Sequence, residues 1–122
     1  MSTALSPDGA IVLDKDVPCG WYGTLREFLA LNQAEILAAL RSRHFKVMGM
    51  QPDGGQMEAW RGEFAILSAT LTDIAGSVPQ AARWAVIFEY ELPRERGRRP
   101  DVVILTGSQV LVLEFKESGT LL

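Results

Sequence analysis

Residues 101–115 read DVVILTGSQVLVLEF, and their pattern decides the fold. Two apolar runs rich in β-branched side chains flank Thr106-Gly107-Ser108-Gln109. That link reads as a tight β-hairpin with Gly107 and Ser108 as its two turn residues. The turn sets a register in which Leu105 faces Val110, Ile104 faces Leu111, Val103 faces Val112 and Val102 faces Leu113. Continued outward, Asp101 stands opposite Glu114, their Cβ atoms about 5 Å apart on one face. Lys116, two residues beyond Glu114, points to the same face. Strands this apolar on both faces are expected to be covered on both faces. Carboxylates at the end of such a hairpin are then partly desolvated, which is costly without compensation. A divalent cation between them is the simplest compensation.

Upstream, Trp84 to Leu92 (WAVIFEYEL) has the same texture and is read as the preceding strand, with Glu89 and Glu91 sharing one of its faces. Before it the periodicity is helical. Thr24 to Leu31 places Leu25, Phe28 and Leu29 on one face. Asn32 and Glu35 have the spacing of a capping box and open a helix expected to run to about His44, with Ile36, Leu37 and Leu40 inward and Arg41 and Arg43 toward solvent. After the break at Pro52 to Gly55, a longer helix is expected from about Gln56 to Ile74, carrying Met57, Trp60, Phe64, Leu67 and Leu71 at intervals of three or four. Gly76, Ser77 and Pro79 end it. The expected fold is α+β, with N-terminal helices followed by an antiparallel three-strand meander.

Composition narrows the function. A chain of 122 residues with 48% apolar residues has the make-up of one globular domain. Net charge −3 excludes a protein that holds nucleic acid by overall charge excess. One cysteine, Cys19, and one histidine, His44, exclude a disulfide framework, a cysteine-rich zinc site and most histidine-based catalytic sets. Cys19 has no neighbouring base in sequence, and His44 is expected to act as a favourable partner of a helix C-terminus. The acidic start and the lack of a long apolar run point to a cytoplasmic chain.

Pro100-Asp101, twelve residues, then Glu114-Phe115-Lys116 resembles the PD-(D/E)XK pattern of metal-dependent nucleases. Hard oxygen ligands suit Mg²⁺ or Mn²⁺ and leave positions for water or phosphate oxygens. The metal would lower the pKa of a bound water, and a lysine would steady it or the transition state. The resemblance is wider than the motif. WYGTLREFL (21–29), Glu58-Ala59-Trp60, FEYELP (88–93), RRPDVVIL (98–105) and VLVLEFK (110–116) follow the order of the N-terminal nuclease-like region of a family of bacterial helicase-like ATPases. It spans about Trp21 to Lys116. It implies Asp101, Glu114 and Lys116 as the catalytic set, and Asp101, Glu114 and Glu89 as metal ligands. It also implies cleavage of DNA or RNA alongside an ATP-driven motor. No G-x-x-x-x-G-K-(S/T) loop occurs in these residues, so the motor is not among them. The chain ends six residues after Lys116, before the helix and strand that complete such a core. The division expected is therefore an irregular or strand-like lead-in over 1–20 and a partial nuclease-like domain over 21–122, truncated, with a downstream ATPase region or self-association as its partner.

Arg94, Arg96, Arg98 and Arg99 occupy the loop that delivers the chain to Asp101, and are expected to contact phosphate; the plain alternative is a solvated loop. Glu58 has the place of a helix-borne ligand, although a surface glutamate is the simpler reading. For Asp101, Glu114 and Lys116 the alternative is a structural salt-bridged cluster. At the level of the whole chain it is a non-catalytic scaffold of the same fold that binds nucleic acid or a partner chain.

Overall fold

The computed structural model describes residues 3–5, 11–13, 19–90 and 101–115. Its elements are β1 (Thr3–Leu5), β2 (Ile11–Leu13), β3 (Trp21–Thr24), α1 (Leu25–Leu29), α2 (Gln33–Met48), α3 (Gly54–Ser77), a 3-10 turn (Pro79–Arg83), β4 (Ala85–Phe88), β5 (Val102–Leu105) and β6 (Val110–Leu113). The result is a mixed α+β fold built on a four-stranded antiparallel sheet in the order β3-β4-β5-β6. No helix among the described residues is long and apolar enough to cross a membrane.

The hairpin has the register its turn dictates: Leu105 pairs with Val110, and Val102 with Leu113. The Thr106 N–H donates to the Gln109 carbonyl at 3.0 Å, and Gly107 takes the left-handed turn at φ 101° that a side chain resists. The sheet nevertheless holds four strands where a three-strand meander is expected. Trp21 to Thr24 pairs with Ala85 to Phe88 and precedes the helices. In the lead-in, β1 and β2 pair antiparallel, as the strand-like reading of those residues has it. Short strands such as β3 are stabilised by the neighbour they find, and that neighbour here lies some sixty residues away along the chain.

The helices follow their caps. Thr24 ends β3 and starts α1 through a capping box: its Oγ1 accepts from the Glu27 N–H at 3.0 Å, and the Glu27 carboxylate accepts from the Thr24 N–H at 2.7 Å. Asn32 and Glu35 form the same reciprocal pair at the start of α2. That helix continues past His44 to Met48, because Gly49 supplies the left-handed stop at φ 75°. His44 thus lies inside the helix, its ring edge-on to Trp60 at 6.1 Å. In α3 the Asp53 side chain caps the Gln56 N–H at 2.7 Å, adding a half-turn at the start to the expected span.

The three helices cover one face of the sheet. Leu25, Phe28, Ile36, Leu40, Trp60, Leu67 and Leu71 meet Val86, Phe88, Val102 and Ile104 in one buried cluster. Phe28 is its hub, with ring centroids 5.7 Å from Phe88, 5.3 Å from Phe64 and 6.0 Å from Trp21. Ile87, Tyr90 and Val103 form a smaller cluster on the opposite face, joined by Tyr22 and Leu105. Strand β6 is the edge of the sheet among the described residues and leaves Val110, Leu111 and Val112 exposed.

Candidate metal centre

Helix α3 turns the stripe Trp60, Phe64, Leu67 and Leu71 into the core, and Glu63 lies on that stripe. It retains 6% of its exposure, and its Oε1 has no hydrogen-bond partner. An unpaired carboxylate in such a place resists ionisation. Burial, followed by the charges of Asp101 and Glu89, pushes the Glu63 pKa from 4.5 up to about 8.

The other two carboxylates come from the sheet. Strand β4 ends at Phe88, inside the expected span, because Glu89 adopts a left-handed backbone at φ 54°. For a residue with a long side chain this conformation is strained by roughly 1–3 kcal/mol and persists only where surrounding contacts hold it. Here the Glu89 N–H donates to the Asp101 carbonyl at 3.0 Å, so the kink is tied to the start of β5. Asp101 is half-buried, and its Oδ2 accepts from the Phe115 N–H at 2.7 Å. Burial raises its pKa; the Phe115 N–H lowers it, and the Glu114 charge raises it again.

Glu63, Glu89 and Asp101 converge so that one carboxylate oxygen from each lies within 4.8 Å of the other two. Oxygens that share one Mg²⁺ lie about 3–4 Å apart, given Mg–O distances near 2.1 Å, so a small contraction would bring the three into one shell. The hard oxygen donor set, the strained Glu89 backbone and the orphaned Glu63 Oε1 suit a divalent cation. No imidazole or thiol belongs to the group.

Of the residues anticipated from the sequence, the fold therefore brings Asp101 and Glu89 together. Glu114 is exposed and stands outside the group, and its charge acts on Asp101. Glu58 is exposed and ion-paired with Arg61. Lys116, Glu91, Arg94, Arg96, Arg98 and Arg99 lie outside the described residues. Cys19 is half-buried, and burial pushes its thiol up to about 11 against the opposing pull of Arg43, so it remains protonated at neutral pH. Glu63 was not anticipated. Its signal was present, since a glutamate between Trp60 and Phe64 on a buried helical face is costly unless a partner meets it.

No protein-family model, curated protein or solved structure matches the chain.

Proposed function

We propose that this chain is a metal-dependent nuclease module, a PD-(D/E)XK-type core that serves a larger helicase-like ATPase. Glu63, Glu89 and Asp101 would hold Mg²⁺ or Mn²⁺, and the bound metal would supply an activated water and charge neutralisation for phosphodiester hydrolysis of DNA or RNA. The observation that carries this reading is the buried, unpartnered Glu63 oxygen facing two further carboxylates. A purely structural role would be served better by a neutral side chain at that position, since three converging carboxylates destabilise one another. The Phe115 N–H on Asp101 Oδ2 supports it further, because it leaves the second Asp101 oxygen for a ligand and fixes the carboxylate's orientation.

The alternative is a non-catalytic domain that binds nucleic acid or a partner chain. One observation favours it: Glu114, the glutamate of the E-x-K pair, stands outside the carboxylate group.

Thermal unfolding and cleavage of labelled oligonucleotides, each in chelator and in Mn²⁺, test the proposal. Mn²⁺ at about a hundred times its Kd raises stability by about 2.7 kcal/mol. Asp101→Asn removes both that rise and any cleavage. An identical melting curve with and without Mn²⁺ would sink the metal reading, and Mn²⁺ stabilisation without cleavage would favour the scaffold.

A further inference from the structure

The chain carries more acidic than basic side chains, yet helix α2 is basic over its second half. Its only carboxylate, Glu35, sits in the first turn, whereas Arg41, Arg43 and Lys46 follow one another toward the C-terminus. These cations border two depressions. One, of about 380 Å³, lies between β3 and α2 and is lined by Trp21 and Tyr22 on the strand side and by Ser42, Arg43 and Lys46 on the helix side, with Gly20 in its wall. The other, of about 490 Å³, shares Ser42 and Lys46 and adds Arg41, Phe45 and Gln51. The shared residues join the two into one trough, and among the described residues no acidic side chain lines either part.

Two aromatic residues leave β3 here on opposite faces of the sheet, Trp21 on the helix face and Tyr22 on the other. Trp21 packs on Phe28 and Phe88, Tyr22 packs toward Ile87 and Val103, and both remain half-exposed. The Arg43 charge acts on the Cys19 thiol in the same wall, which sets it on the strand side of the helix.

One wall residue of the trough, Gly20, lies against the turn that carries Glu89. The Gly20 N–H donates to the Phe88 carbonyl at 2.8 Å, and Glu89 is the next residue. A Cβ at Gly20 would lie 3.4 Å from the Glu89 Cβ and 2.5 Å from a Leu40 methyl, so glycine is what lets the trough wall lie against that turn.

We propose that this trough binds a single-stranded nucleic acid, with Arg41, Arg43 and Lys46 on its phosphates and Trp21 beside its bases, and leads the strand toward Glu63, Glu89 and Asp101. Delivery of the strand to the carboxylates rests on the nuclease reading; binding in the trough does not. Cations that track a backbone beside aromatic side chains are the features that hold unpaired strands, whose bases are open to stacking. A duplex keeps its bases stacked and offers Trp21 nothing.

The test is fluorescence anisotropy on the full chain in chelator, with a labelled oligothymidylate, a duplex of equal length and polyglutamate as competitor. Three phosphate contacts predict that log K falls against log salt with a slope of about −2, at about −0.7 per contact for single strands. Arg43→Ala/Lys46→Ala is expected to weaken binding roughly tenfold and bring the slope above about −1. Arg83→Ala, a change of an exposed cation outside the trough, leaves binding as it was. Unchanged affinity in the double variant, equal affinity for the duplex, or equal competition by polyglutamate would overturn the proposal, the last pointing to an acidic polypeptide. The two readings separate cleanly. Variant-sensitive binding without any Mn²⁺ effect on the melting curve leaves the trough standing and removes the nuclease. Undiminished Mn²⁺-dependent cleavage by the double variant does the reverse.

Discussion

Replacing Glu63 by glutamine tests the central electrostatic feature of this molecule. The Glu63 carboxyl has its pKa raised from 4.5 to about 8 in the folded state. Between those values the folded chain holds a proton that the unfolded chain has released, so stability falls as pH rises. The loss is about 1.4 kcal/mol for each pH unit inside that window. From about pH 5.5 to about pH 7.5 the chain without metal is expected to lose about 2–3 kcal/mol, a large share of the 5–15 kcal/mol of an ordinary domain. At this chain length that corresponds to a fall in Tm of about 10 °C. Asp101, whose pKa is also raised, adds a slope of the same sign at more acid pH. A glutamine side chain has nearly the same shape as glutamate but does not titrate, so Glu63→Gln should be almost level over the same interval and more stable than the parent at the upper end. The variant should also lose stabilisation by Mn²⁺, because an amide is a poor substitute for a carboxylate on a hard cation. Thermal melts of both proteins across pH, with and without Mn²⁺, measure all of this. A parent whose stability is level between about pH 5.5 and 7.5, or a variant that declines in parallel with it, would refute the assignment of the slope to Glu63.

Two further outcomes follow from the packing. Phe28→Ala removes the ring at the hub of the aromatic cluster and should cost about 3–5 kcal/mol in urea denaturation, against under about 1 kcal/mol for truncating an exposed side chain such as Gln80. An equal loss at both positions would show that the cluster around Phe28 is not the core. Strand β6 presents Val110, Leu111 and Val112 at a sheet edge with no charge between Val110 and Leu113, a surface that invites pairing with other chains. Light scattering should show apparent mass growing with concentration for the parent and constant for Val112→Lys; a parent that stays monomeric at high concentration refutes it.

The residues that interact within a turn or a helix repeat were legible from the chain itself. The Thr106–Gln109 hairpin determines the pairing of β5 with β6, because a two-residue turn leaves one register open. The stripe of Ile36, Leu37 and Leu40 and that of Met57, Trp60, Phe64, Leu67 and Leu71 follow from helical period, and all but the half-buried Met57 are buried. Asp101 and Glu89 were likewise nameable in advance, as carboxylates on neighbouring strands. Three features needed the tertiary structure. Trp21 to Thr24 is a strand because β4 lies beside it, and nothing local distinguishes those residues from a loop that leads into α1. The chain leaves its strand at Glu89, where the backbone turns left-handed at φ 54°, a bend that alternation does not show. Glu63 joins the two sheet carboxylates because α3 packs into the same core as β4 and β5. Periodicity shows that its side chain turns inward, but what it meets there depends on how helix and sheet pack, and packing joins residues that the sequence keeps far apart.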